Sequence, residues 1–332
     1  MAAQEQDDFH RALAAANVQP LWEQAAHGNR RNERERSHLW RWGDMQSLID
    51  QAIAATDMAD TERRVLTFKN PFYGPQRPCI TSNLTGALQI LLPGEKARPH
   101  RHPMNALRFI LEGGGATTIV EGKSCPMEEG DLVLTPGWTW HEHAHEGKQR
   151  IVWFDSLDVP LFRYLGMDEF QPGPVKDVKP IETDAAFASP GMVPAQITQP
   201  SYSPLFRYPW AEACAALARM PEDSDGSRLL HYVNPFSGGP VMSLMDCYLL
   251  DLPKSGATRR RWTSASTVAV VAEGAGESTV GEDKIAWSRN DVFTLPRKSW
   301  VSHQAASGGA KLFLTTDREV MRRLGLLEEK LD

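Results

Sequence analysis

Residues 99–113, PHRHPMNALRFILEG, and their companion at 135–145, TPGWTWHEHAH, decide how the chain is read. Side chains on a strand alternate faces, so His100 and His102 share one face and Arg101 takes the other. A third imidazole, His141, arriving from a distant strand lets the three cap one side of a metal ion and leave its remaining positions open, with Arg108 beside them. Working outward, GALQILLPGE (86–95), ALRFILEG (106–113), ATTIVEG (116–122) and EEGDLVLTPG (128–137) each read as a strand running into a Gly or Pro turn. That punctuation is the pattern of a small β-barrel.

The layout recurs. VAVVAEGAGESTVGEDKIAWSRNDVFTLPRKSWVSH (268–303) repeats residues 107–143 strand for strand and turn for turn. Aligning the Glu-Gly turns at 112–113 and 273–274 puts Arg261 opposite His100, Thr263 opposite His102 and Ala269 opposite Arg108. Aligning Pro136 with Pro296 puts Val301 opposite His141 and His303 opposite His143. A second copy that keeps the turns and loses the ligands implies two barrels and one active site.

Around this pair the chain divides into a helical extension (1–64), a barrel bearing the metal site (65–165), a Pro-rich connector (166–209) and a metal-free barrel ending in a helix (210–332). In the extension, 7–16 reads as an amphipathic helix, and Asp44 as the N-cap of a helix reaching about residue 55. Trp22, Trp40 and Trp42 are expected to bury their rings. The run RRNERER (30–36) reads as a solvated face. Prolines at the connector's density deny the backbone the donors that a continuous sheet or helix needs. WAEACAALARM (210–220) reads as a helix.

Composition sets outer limits. At 332 residues and 41% apolar content there is material for two cores. A net charge of −6 with no long basic run speaks against nucleic acid as a partner. The acidic segment MAAQEQDDFHRALAAANVQP is unlike a signal peptide, and no apolar run approaches the ~20 residues of a membrane span. The expectation is a soluble, cytoplasmic protein with no membrane partner. Cys79, Cys125, Cys214 and Cys247 lack metal-type or framework spacing and read as reduced thiols.

At these residues the sequence resembles the cupin superfamily. Its first motif, G-x5-H-x-H-x3-E-x6-G, is matched from Gly94 through His100 and His102 to Gly113, with Ala106 where a glutamate ligand belongs. Its second, G-x5-P-x-G-x2-H, is matched at Gly130, Pro136 and His141, with Trp138 in place of the second glycine. The whole chain resembles the two-barrel gentisate and salicylate 1,2-dioxygenases, through HLWRW, ERRVL, GALQILLPGE, HRHPMNALRFILEG, TPGWTWHEH, SPLFRYPW and YVNPFSGGP in that order.

The resemblance implies an all-β-dominated bicupin, two tandem jelly-roll barrels with short flanking helices, commonly assembled as a homotetramer. It implies Fe(II) on His100, His102 and His141, and a small aromatic hydroxy acid and O2 as the reacting partners. Both oxygen atoms would enter between the carboxyl-bearing and hydroxyl-bearing carbons of gentisate or another 5-substituted salicylate, such as 5-nitrosalicylate, or of a fused analogue. It places Arg108 on the substrate carboxylate with Arg64 as a second guanidinium, and Gln89, Thr85, His143 and Asp155 around the same cavity. Arg108 lies two residues beyond the missing glutamate, hence on the same inward face, where a guanidinium can pair bidentately with a carboxylate.

Losing the glutamate leaves three neutral imidazoles, so a divalent ion would keep its full charge toward a chelating dianion. His143 reads either as a proton-transfer group or, since His303 holds the same slot, as a structural one. Asp155 reads as an acceptor orienting a ligand imidazole, and His145 as exposed. Two other readings stay open: a three-histidine dioxygenase for a small thiol acid or diketone, and a non-catalytic ligand-binding bicupin.

Overall fold

The computed structural model describes residues 3–22, 35–58, 61–74, 77–174, 183–189, 191–195, 201–254 and 256–332. The chain separates into two compact units, Met1–Arg36 and Ser37–Asp332. Residues 37–64 of the expected extension thus lie in the second of these units. In the first unit α1 spans Ala3–Ala15, and Trp22 is 70% exposed rather than buried. The arginine run lies mostly outside the described residues. Among the described residues no helix is long and apolar enough to cross a membrane, and all four cysteines are free thiols.

The second unit opens with β1 (Leu39–Trp40) and α2 (Trp42–Ala55), whose N-cap is Arg41, with Asp44 inside the first turn. There follow β2 (Val65–Thr67), β3 (Thr85–Leu91), β4 (Lys96–Arg101), β5 (Ala106–Glu112) and β6 (Ala116–Val120). Next come β7 (Lys123–Met127), β8 (Leu132–Thr135), β9 (His141–His145), β10 (Ile151–Leu157) and α3 (Val159–Tyr164). The connector contributes two short strands, β11 (Gln171–Pro172) and β12 (Arg207–Tyr208), before α4 (Trp210–Arg219). The remainder holds β13 (Arg228–His231), β14 (Asp246–Leu252), β15 (Arg261–Thr263), β16 (Thr267–Val280) and β17 (Asp283–Ser288). It ends with β18 (Val292–Leu295), β19 (Trp300–Thr316), α5 (Arg318–Arg323) and β20 (Glu329–Leu331).

In the first half a six-stranded sheet, β12-β8-β5-β10-β3-β2, packs against a five-stranded one, β11-β4-β9-β6-β7. The six-stranded sheet is covered on both faces, which is why strands such as ALRFILE carry near-continuous apolar runs. One parity (Leu91, Ile110, Val133, Ile151, Trp153) meets Ala116, Val120 and Met127 of the facing sheet. The other (Leu88, Leu107, Phe109, Leu132, Phe154) meets Val268, Val270, Val292 and Phe313 of the second half.

The second half repeats the first at the level of register. Arg261 pairs with Val301 as His100 pairs with His141, and Ala269 pairs with Phe293 as Arg108 pairs with Val133. The repeat also reaches segments outside the barrels. Leu39 and Trp40 pair with Phe293 and Val292 of the second half, while Arg207 and Tyr208 pair with Val133 and Leu132 of the first. In both places a buried aspartate then accepts the N–H of a tryptophan that opens a helix. Asp291 takes Trp42 at 2.6 Å, and Asp131 takes Trp210 at 2.8 Å.

Candidate metal centre

Strands β4 and β9 are neighbours, and their pairing sets His100 directly against His141. His102 follows at the end of β4, where Trp138 N–H donates to its carbonyl at 2.7 Å. Trp138 has φ of 63°, the left-handed conformation that explains a glycine at this place in the motif. Gly137 is tight as well: a Cβ there would come within 2.2 Å of the Pro103 carbonyl oxygen.

The structure brings His100, His102 and His141 together, all buried, with one nitrogen from each within 4.8 Å of the others. Each ring's Nδ1 is held by a backbone carbonyl: Arg98 for His100 (3.0 Å), Met104 for His102 (2.9 Å) and Thr139 for His141 (3.0 Å). Those bonds put the proton on Nδ1 and leave the lone pair on Nε2, the arrangement a metal requires. His141 Nε2 has no hydrogen-bond partner. Burial foremost, with the nearby guanidinium charges, depresses all three, His100 to about 3 and His102 to about 4, so the rings are neutral. Three converging neutral imidazoles with no adjacent carboxylate fit a divalent transition metal. Ala106, at the missing glutamate's place, lines the adjoining cavity.

That cavity measures about 420 Å³. Arg63, Val65, Thr67 and Lys69 line it from one edge and Thr85, Ala87 and Gln89 from β3, in each case every second residue. Arg108 is 3% exposed; its Nη1 donates to Thr135 Oγ1, and its Nε lies 3.4 Å from Asp155 Oδ1. Asp155 stands opposite Arg108 in the pairing of β10 with β5. It is therefore the guanidinium's partner and makes no bond to a ligand imidazole, since all three Nδ1 atoms are taken by carbonyls. Burial raises its carboxyl and Arg108 partly offsets this. Gln89 Nε2 is buried without a partner, and Thr85 Oγ1 donates to the Leu157 carbonyl at 3.3 Å.

Two further expectations, for Arg64 and His145, are corrected here. Arg64 does not face the cavity: it is buried against Glu95, with which it forms an ion pair at 2.8 Å, and donates to Thr56. The neighbouring Arg63 faces inward instead, its Nη1 2.8 Å from His100 Nε2. His145 is buried, its Nε2 2.6 Å from the Gln149 carbonyl. His143 is fully enclosed, its Nδ1 2.9 Å from Thr118 Oγ1 and its Nε2 unpartnered. Sequence reasoning also missed Lys69 and Arg163 on the lining and Phe170, whose ring stacks on His100 at 5.3 Å. Strand alternation from Arg63 to Lys69 carried part of that signal.

Barrel and three-imidazole site together define a cupin, and the cupin domain family model matches residues 87–159. The resemblance runs much further than that motif. A gentisate 1,2-dioxygenase of Ralstonia sp. is 33% identical over 97% of this chain and 94% of its own length. A 5-aminosalicylate 1,2-dioxygenase of Comamonas sp. is 35% identical over 98% and 90%. The structure of salicylate 1,2-dioxygenase from Pseudoaminobacter salicylatoxidans with gentisate superposes with a TM-score of 0.91 at 28% identity, covering 100% of this chain and 95% of that one. The chain belongs to the gentisate and salicylate 1,2-dioxygenase family of bicupin oxidoreductases.

Proposed function

We propose that this protein is an iron(II)-dependent dioxygenase that opens the ring of a 2-hydroxybenzoate, gentisate or another 5-substituted salicylate, between its carboxyl-bearing and hydroxyl-bearing carbons. The observation that carries the reading is the three Nε2 atoms converging beside a cavity that holds two inward guanidinium groups. Iron(II) held by His100, His102 and His141 would supply a chelation point for the carboxylate and phenolate oxygens and a redox partner for dioxygen. Both atoms of O2 are retained in a ring-opened 2-oxo dicarboxylic acid.

The protein's own groups bind and orient. Arg108, already desolvated and pinned by Thr135 and Asp155, presents its guanidinium to the substrate carboxylate. Arg63 replaces Arg64 as the second cation and moves from His100 Nε2 to the substrate. His143, kept well below its ordinary basicity by burial, stays neutral and uses its free Nε2 to hydrogen-bond a reacting oxygen. Gln89 offers its unpaired amide to the same region, and Thr85 and Ala87 leave room for a ring substituent. Cytoplasmic location and tetrameric assembly belong to this reading by family likeness.

Oxygen uptake by anaerobically iron-loaded protein, across gentisate, salicylate, 5-nitro-, 5-amino- and 5-halosalicylate and 1-hydroxy-2-naphthoate, tests it. One O2 consumed per ring opened is expected with at least one of them. No uptake with any of the panel removes the proposal.

A further inference from the structure

The second half encloses a cavity of about 460 Å³ lined by residues of β15 and β19, counterparts of the strands that carry the histidines in the first half. Its size lies in the range of small-molecule sites. Leu250, Leu295, Val301 and Leu314 form apolar walls, and Leu331 of β20 lies opposite Arg261 at its edge. The rest of the lining includes hydroxyls and charged groups, and two of its polar residues stand where the first half has imidazoles.

The first is His303, counterpart of His143, 7% exposed. Its Nδ1 lies 2.7 Å from Ser278 Oγ, and that oxygen accepts the Trp287 indole N–H at 2.8 Å. The indole can only donate, and Nδ1 is the one acceptor among the described groups bonded to the serine hydroxyl, so the serine's proton goes to Nδ1 and the imidazole hydrogen sits on Nε2. No described group accepts it, and as His303 lies on the cavity lining it is available to a ligand oxygen there. The second is Arg261, counterpart of His100. Burial foremost, and then the charge of Arg261, depress His303 to about 4, so the guanidinium acts on a neutral ring. Arg261 is otherwise paired only with Asp223 at 3.0 Å, both substantially exposed, a pairing of little worth. Arg318, the other guanidinium on the lining, is neutralised by both oxygens of Glu329 at 2.9 and 2.8 Å.

We propose that this cavity is a metal-free binding site for a small organic acid with an apolar, ring-sized body. The carboxylate is held between the Arg261 guanidinium and the His303 Nε2–H, and the body lies among Leu250, Leu295, Val301 and Leu314. One cation and one N–H donor match the two oxygens of a carboxylate, and the walls exclude a ligand charged throughout. The site is separate from the proposed catalytic centre and does not depend on the ring-opening activity.

The test is calorimetric titration of the full-length, iron-loaded chain with 1-naphthoate, which has a carboxylate on an apolar ring and no neighbouring hydroxyl. Binding should persist in Arg108→Ala, disappear in Val301→Trp, whose indole fills the second cavity, and weaken by ~tenfold or more in Arg261→Gln. Oxygen uptake by Val301→Trp should match the unmodified protein. Binding that vanishes in Arg108→Ala, or that is unchanged in both Val301→Trp and Arg261→Gln, overturns the proposal. Thermal melts verify folding, and if Val301→Trp melts early the Arg261→Gln comparison decides alone.

Discussion

Arg63 and Arg64 are neighbours in the chain and serve different ends, because successive side chains at the start of a strand point to opposite sides. Arg64 is locked by Glu95 and Thr56, so Arg64→Ala should leave the part-buried Glu95 carboxylate without its guanidinium while Leu92 N–H still donates to it, costing about 1–3 kcal/mol with little change in KM. Arg63→Ala should do the reverse, raising KM by ~tenfold or more at an unchanged melting temperature. Steady-state oxygen uptake and thermal melts on both variants separate the two, and a loss of stability in Arg63→Ala would show that it is structural. Arg108→Ala should retain the metal by elemental analysis and lose about ten- to a hundredfold in kcat/KM; loss of metal would make Arg108 part of the scaffold. His303 gives a pH prediction. Its folded pKa is about 4 against about 6.5 unfolded. Between those values the unfolded chain binds the extra proton, so this contribution is complete above pH 6.5. It falls away toward pH 4 by at most about 1.4 kcal/mol per pH unit. Denaturant midpoints at pH 7, 5.5 and 4.5 should show a shallower decline in His303→Gln than in the unmodified protein.

At the scale of elements, the two halves exchange short strands. LWRW (39–42) and RYPW (207–210) occupy one four-residue frame: two residues extend the other half's sheet, and the tryptophan starts a helix on a buried aspartate. Asp131 also accepts from Glu128 N–H and Arg207 Nε, and Asp291 from Ser288 N–H. Replacing either by alanine strips several part-buried donors of their acceptor, each bond worth about 0.5–1.5 kcal/mol. Asp131→Ala and Asp291→Ala should therefore lower the melting temperature to similar extents. A substantial drop in only one of them would break the structural equivalence. The frame was present in the sequence, but four residues are too few to distinguish a repeat from chance until pairing shows which sheet each joins. His143 and His303 follow the same logic. Each ring is bonded to a hydroxyl on the paired strand, Thr118 or Ser278, so that bond belongs to the barrel, and only the free Nε2 of His143 is available for chemistry.

Within residues 37–332 an apolar cluster drawn from both halves joins the two barrels, with Phe109 of one half stacked on Phe313 of the other at 4.3 Å. Two barrels so joined should unfold together, so differential scanning calorimetry should show one transition. Phe109→Ala should cost about 3–5 kcal/mol, with melting and metal release moving together. Two resolved transitions would refute the shared core. Several conclusions were legible in the chain alone: alternating strands, Gly and Pro turns, three histidines in motif spacing and a second copy without them. These depend on short-range periodicity, which a linear sequence records directly. The cavity-facing arginine, the pairing of Asp155 with Arg108 and the crossing of residues 39–40 to the far barrel emerged only in three dimensions. Each depends on sheet register and on partners tens to hundreds of residues away, and a one-residue slip would reverse the first two.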